Sequence, residues 1–182
     1  RTVVVTNIKE ALSPVLAFLF TLTKEKKGGF RVQLGAGDHW LQDLIGRHKP
    51  EDRPKVDVGP DDVALFQYSG GTTGVSKAAV ALHRNLVANS IQIRSWMPTA
   101  VEGKEVVLMA IPLFHVYGMV AGMCFALRVA SSMVMVPNPR DLTDVLSSIQ
   151  KYKATIFPGV PTLYNAINNH PDVKAGKYKL TT

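Results

Sequence analysis

Apolar and polar positions along the chain fall into blocks that predict strands and helices in turn. Residues 2–8 carry Val3, Val4 and Val5 in a row and read as a buried strand. Ser13 then Pro14 predicts a helix start, with Ser as cap and Pro at the first helical position. That helix runs through Leu22 and is apolar on nearly every side. Lys24, Lys26 and Lys27 suit its negative carboxyl end, and Gly28 can close it. Residues 30–34 read as a short strand, 35–37 as a turn and 39–45 as a short helix. The polar stretch 46–61, with Pro50, Pro54, Gly59 and Pro60, marks a connection or subdomain boundary.

The second half alternates more plainly. Residues 62–68 predict a strand, then come a glycine-and-hydroxyl loop and a helix over 82–96, with Leu82, Leu86, Ile93 and Trp96 on its inner face. Residues 105–111 predict a buried strand. The longest apolar run, 116–136, is interrupted by Arg128, Ser131 and Ser132, and a mid-bilayer arginine is costly. It therefore reads as a helix through Ala126 followed by a strand over 132–136. Gly118, Ala121, Gly122 and Ala126 let that helix approach a neighbour closely. Met119, Met123 and Met133 suit core packing or the lining of a lipid-chain pocket. Asp141 caps a helix with Leu142, Val145, Leu146, Ile149 and Tyr152 on one face. A strand over 154–157, a helix from Pro161 to about Asn169 and a frayed polar tail complete the chain. This order predicts an α/β fold, with a layered, mainly parallel sheet and helices on both faces. Two segments are expected, 1–60 and 61–182.

Composition narrows the function classes. The chain has 182 residues, 46% hydrophobic and 19% charged, so it is globular and long enough for a core. Its net charge of +7 is dispersed and has no basic stripe with interleaved aromatics, so no nucleic acid is expected. The single Cys124 excludes an intramolecular disulfide and fits a reducing, cytoplasmic compartment. With no initiator Met and no signal-peptide layout, the sequence reads as a piece of a longer protein. The apolar helix falls short of the roughly 20 residues that span a bilayer. It is either a core helix or one covered by further parts of a longer protein, or else a membrane-surface patch over 14–27 in which apolar residues meet lipid and lysines meet headgroups. His39, His48, His83, His115 and His170 have no spacing that makes a zinc site with Cys124. No Ser-His-acid or paired-carboxylate arrangement supports hydrolysis. His83 and Arg84, at a helix start, suit structural roles better than ligand binding.

The chemistry concentrates in Tyr68-Ser69-Gly70-Gly71-Thr72-Thr73-Gly74-Val75-Ser76-Lys77. Gly70, Gly71 and Gly74 let main chain come close to a polyphosphate, and free N–H groups there bind anions. Ser69, Thr72, Thr73 and Ser76 add hydroxyl donors, and Lys77 adds a point charge. The common P-loop has its lysine directly after the last glycine. Here two residues separate Gly74 from Lys77 and Ala78 follows, so that motif is absent. The string instead resembles the signature loop of adenylate-forming (AMP-binding) enzymes. Leu82-His83-Arg84-Asn85-Leu86 continues the likeness. Two later segments, Pro112-Leu113-Phe114-His115 and Gly159-Val160-Pro161-Thr162-Leu163, resemble blocks of the long-chain fatty acid–CoA ligases in that superfamily.

The resemblance implies part of a larger adenylate-forming N-terminal domain, the C-terminal domain lying outside this chain. It implies ATP, Mg²⁺ accompanying it, coenzyme A, and a fatty acid converted first to an acyl-adenylate and then to an acyl-CoA. Ser69, Gly70, Gly71, Thr72, Thr73, Gly74, Ser76 and Lys77 are then the phosphate-binding set. His115 lies near the substrate carboxyl and the adenylate, and Gly159 leaves room at a strand end beside the acyl pocket or serves a plain strand-to-helix turn. No catalytic residue is assigned, since the family's adenylation lysine lies elsewhere, and the chain alone is expected to be inactive. Ser69, Ser76 and Ala78 depart from the family's usual Thr, Pro and Gly. Other acyl- or aryl-CoA ligases share the loop. A phosphotransferase, or a non-catalytic lipid-binding module, would explain less of it.

Overall fold

The computed structural model describes residues 2–69 and 76–180. The chain divides into two compact units, 1–57 and 58–182.

In the first unit, β1 (Val4–Val5) is followed by a 3-10 turn, Ile8–Ala11, and by α1 (Pro14–Phe20), which continues as a π-helical turn, Thr21–Glu25. β2 (His39–Trp40) and α2 (Leu41–Gly46) complete the unit's regular structure, with a 3-10 turn at Pro50–Asp52. β1 and β2 pair in parallel. The strand expected over 2–8 is thus two residues long. Asn7 ends it, because its side chain accepts the Lys9 N–H at 3.1 Å and turns the chain into the 3-10 turn. The strand expected over 30–34 does not form; Phe30 packs against Phe20 instead, with ring centroids 5.6 Å apart. α1 starts with Pro14 at its head as expected, but Ser13 makes no side-chain cap bond. The left-handed closing residue is Gly29, at φ 69°, not Gly28. Among the described residues of this unit only Asn7 and Glu25 are buried, and no apolar side chain is.

The second unit opens with an antiparallel hairpin, β3 (Val63–Ser69) and β4 (Lys77–Leu82), then α3 (His83–Trp96). The expected strand–loop–helix is therefore strand–loop–strand–helix. Ala78, Ala79 and Ala81 have low strand propensity, and it is pairing with β3 that makes them extended. Trp96 does not face inward, being 88% exposed. The inner face of α3 is Leu86, Ser90, Ile93 and Met97.

β5 (Val106–Met109) is the centre of the unit. A helical segment follows, π-helical over Gly118–Cys124 and α-helical in α4 (Phe125–Arg128). It leads to β6 (Ser132–Met135), which pairs with β5 in parallel. On the other edge of β5 the strand expected over 154–157 is reduced to one parallel bridge, Val107 with Ile156. The Leu108 N–H donates to the Ile156 carbonyl at 2.9 Å, and the Ile156 N–H to the Val106 carbonyl at 3.1 Å. α5 (Leu142–Tyr152), α6 (Pro161–Asn168) and α7 (Pro171–Lys174) follow. Asp141 caps α5 as expected, accepting the Asp144 N–H at 3.2 Å.

Alternation along β5 builds two cores. Leu108 and Ala110 pack with Val136, Val145, Leu146, Ile149 and Ile167. Val107 and Met109 pack with Ala100, Phe125, Ala126 and Val129. Helices thus cover both faces of a parallel strand patch, as an α/β fold requires. The close approach expected of the small residues is present: a Cβ on Gly118 would sit 2.5 Å from the Pro112 carbonyl oxygen, and one on Gly122 would overlap the Met109 side chain. The tail is not frayed through residue 180. Tyr178 and Leu180 pack against the first core, and the Lys179 N–H donates to the Gln150 side chain at 3.0 Å.

Candidate functional site

β3 and β4 bring the two ends of the glycine-and-hydroxyl loop together. Ser69 and Lys77 are register partners, as are Tyr68 and Ala78, so the chain leaves the hairpin at Ser69 and re-enters it at Lys77. Ser76 and Lys77 are exposed. Gly70, Gly71, Thr72, Thr73 and Gly74 lie outside the described residues. Nearby in sequence, the His83 N–H donates to the Asp62 carbonyl at 3.1 Å, and Arg84 pairs with Asp61 at 2.6 Å on the surface.

A second feature lies at the carboxyl ends of β5 and β6, where parallel sheets place ligand crevices. Here a cavity of about 540 Å³ is lined mainly by apolar groups, among them Ala110, Ile111, Leu142, Val160 and Leu163. Its volume is within the range of small-molecule sites. The polar groups on its wall are His115, Tyr117, Thr162 and Arg140. His115 is exposed, not buried. Its backbone N–H donates to the Pro112 carbonyl at 3.0 Å, and its Nδ1 accepts the Tyr117 N–H at 3.2 Å. Both bonds belong to the turn that carries the chain from β5 into the next helix. The acceptor at Nδ1 leaves Nε2 as the ring's other polar atom.

Gly159 is not among the residues that line this cavity. It packs beneath Tyr164, whose ring a Cβ there would meet at 2.6 Å. The Tyr164 hydroxyl donates to the Phe157 carbonyl at 2.6 Å. Burial is the main cause that pushes its pKa up, with Tyr117 adding to it. Met119, Met123 and Met133 do not line the cavity either. Arg140 and Tyr117 are the wall groups that sequence reasoning did not single out. Tyr117 stands two residues beyond His115, just past a block that was noticed, whereas Arg140 carries no local signal. Burial also pushes the Cys124 thiol up, which makes it a poor nucleophile. Among the described residues no three His, Cys, Asp or Glu side chains come together as a metal site.

A parallel strand patch covered on both faces, with a crevice at its strand ends, defines an α/β protein of the kind whose ligand crevices lie at those ends. The chain belongs to the AMP-binding enzyme family, which it matches over residues 4–181. It is 34% identical over 174 residues to a long-chain-fatty-acid–CoA ligase of Bacillus subtilis (strain 168), covering 94% of this chain and 31% of that protein. The chain therefore spans under a third of that relative's length. Among solved structures, apo MatB from Rhodopseudomonas palustris is 29% identical with a TM-score of 0.59, over 72% of this chain and 25% of that one. The inhibitor-bound N-terminal domain of FACL13 from Mycobacterium tuberculosis shares the fold, with a TM-score of 0.63 at 24% identity, over 94% of this chain and 47% of that one.

Proposed function

We propose that this chain is the phosphate-loop and acyl-pocket part of an ATP-dependent long-chain fatty acid–CoA ligase. The observation that carries the reading is the apolar cavity at the carboxyl ends of β5 and β6, with His115 on its wall. An acyl chain suits its apolar side, and His115 suits the carboxyl end.

In this reading a fatty acid carboxylate oxygen attacks the α-phosphorus of ATP. The bond to the bridging oxygen breaks, pyrophosphate leaves and an acyl-adenylate forms. The thiolate of coenzyme A then attacks the acyl carbonyl, and AMP leaves. Ser69 to Lys77 holds the β- and γ-phosphates, so its donors meet charge that grows on the leaving group. Lys77 is a point charge at the mouth of the hairpin, and Ser76 adds a hydroxyl. Magnesium enters with the triphosphate and offsets part of its charge; the described residues offer no acidic cluster to hold it as a resident ion. A cytoplasmic location, with peripheral membrane contact through residues 14–27, goes with a substrate that partitions into lipid.

The test is ATP–pyrophosphate exchange by the full-length protein with acids of graded chain length. Exchange that needs a long-chain acid is expected. Exchange only with short or aromatic acids would move the reading to another acyl-CoA ligase, and no exchange with any carboxylic acid would end it. The chain by itself is expected to form no acyl-adenylate.

A further inference from the structure

Among the described residues, no Asp, Glu or Lys lines the cavity at the carboxyl ends of β5 and β6, and Arg140 is the only permanent charge on its wall. The other arginines of the second unit are engaged. Arg84 pairs with Asp61 at 2.6 Å and Arg128 with Glu102 at 3.9 Å. The Arg94 guanidinium donates to the Met97 and Ala100 carbonyls at 2.6 and 2.8 Å. Among the described residues no carboxylate or carbonyl takes the Arg140 guanidinium. Asp141, next in the chain, caps α5 instead, accepting the Asp144 N–H.

The turn that presents Arg140 is braced. The Val136 N–H donates to the Met109 carbonyl at 3.0 Å, which ties the end of β6 to the end of β5. Pro137 and Pro139 fix their own φ. Asn138 holds the rest: its side-chain oxygen accepts the Arg140 N–H at 3.3 Å, and its carbonyl the Asp141 N–H at 3.0 Å. The backbone is thus set, while the exposed side chain keeps its donors for a ligand. His115 faces the same cavity with less to offer. Its Nδ1 is already an acceptor, so the neutral ring has a single donor, at Nε2. A carboxylate has two oxygens to satisfy, and leaving one bare against an apolar wall is costly. A guanidinium meets both at once.

We propose that Arg140 binds the carboxylate of the acid that enters this cavity, holding both oxygens while the chain lies along Ile111, Leu142, Val160 and Leu163. One fixed positive charge on an otherwise apolar wall selects an anionic amphiphile over the neutral alcohol of the same length. The guanidinium also keeps the head group ionised, the form in which an oxygen can attack phosphorus. The contact is made before the reaction, so its loss falls on KM for the acid more than on kcat. This rests on the acyl-pocket reading and adds to it the group that recognises the head of the acid.

The test is equilibrium dialysis of the full-length protein with radiolabelled dodecanoate or dodecanol, without ATP. Tighter binding of dodecanoate is expected. Arg140→Gln should weaken dodecanoate roughly tenfold and leave dodecanol unchanged. Arg140→Lys, which keeps the charge but loses the fork, should recover part of that loss. No preference for dodecanoate, unchanged dodecanoate binding in Arg140→Gln, or an equal loss of both ligands would overturn the proposal. So would a raised KM for coenzyme A with the acid unaffected, since the guanidinium would then meet a phosphate. Dodecanedioate held more tightly than dodecanoate through Arg140 would place the guanidinium at the far end of the chain, against the proposal. Thermal unfolding lowered by several degrees in both variants would show that other protein holds it, with the same result. Pyrophosphate exchange measured on the same samples separates the two readings. Dodecanoate held through Arg140 without exchange leaves this contact standing and removes the ligase; exchange with an unchanged KM for dodecanoate in Arg140→Gln does the reverse.

Discussion

A lysine that opens a paired strand is held more firmly than one on a free loop, because ladder bonds fix its backbone. Lys77 is such a residue, set opposite Ser69 at the mouth of the β3–β4 hairpin. If its ammonium group holds the departing phosphates, its loss removes a charge-assisted hydrogen bond worth about 1.5–3 kcal/mol. Lys77→Ala in the full-length protein is therefore expected to slow pyrophosphate exchange roughly 10- to 150-fold. Unchanged exchange would take Lys77 out of the phosphate site. Glu105 is the second informative residue. Its carboxylate accepts from the Thr155 hydroxyl and from the Val101 N–H at 2.6 Å, tying the start of β5 to the segment that bridges it. The Thr155 bond first, then the Val101 bond, hold its pKa below the usual 4.5. A lowered folded-state pKa means that ionised Glu105 stabilises the fold fully above the usual value. That contribution drains away as pH falls through the folded value. Wild type should thus exceed Glu105→Gln in unfolding free energy, read from urea titration at pH 7, by about 1 kcal/mol for a partly exposed bond. The two curves should converge once pH falls below the folded value; a constant gap would show that the charge does not matter.

Among the elements, β5 with the turn after it and the helical segment that follows are closely packed. The segment can lie so close because Gly118 and Gly122 present no side chain. Main-chain oxygen cannot move aside as a side-chain tip can. Gly118→Ala, which meets the Pro112 carbonyl, should cost about 1–3 kcal/mol in denaturant unfolding. Gly122→Ala, which meets only the flexible Met109, should cost less. An equal loss in both would mean that the backbone shifts as a unit. The sequence made this contact legible, because small residues at helical spacing beside a strand have few other uses. The α5 face was legible for a similar reason: Val145, Leu146 and Ile149 repeat at the helical period and are all buried. The elements that were misread depend on partners far along the chain. β4 is extended only because β3 lies beside it, and Ala78, Ala79 and Ala81 carry no strand signal of their own. Residues 2–8 and 30–34 have the composition of strands but find little to pair with. At the site, His115 was legible from its block at a strand end. Arg140 was not, since it reaches the cavity wall from the turn before α5, and only the fold makes that turn a neighbour of β5.

At the scale of the whole molecule, the two units differ in what holds them. All the described buried apolar side chains, from Ala100 to Ile167, belong to the second unit. The first unit's described buried residues are Asn7 and Glu25, joined by one hydrogen bond, and Glu25 is also paired with Lys9. Apolar burial supplies roughly 25 cal/mol per Å², whereas a net hydrogen bond contributes only about 1 kcal/mol. A unit held by a two-residue strand pair and one polar knot therefore opens with little free energy. Its amides should exchange with deuterium well before those of β5 and α5, which ought to exchange only on global unfolding. Limited proteolysis should first cut within 1–57 and leave 106–180 resistant. If anionic vesicles slow exchange in 14–25 and leave β5 and α5 unaltered, lipid supplies the burial that the unit's own side chains do not. If amides in 1–57 are as slow as those of β5 without lipid, other protein already covers α1, and the membrane contact proposed for residues 14–27 falls.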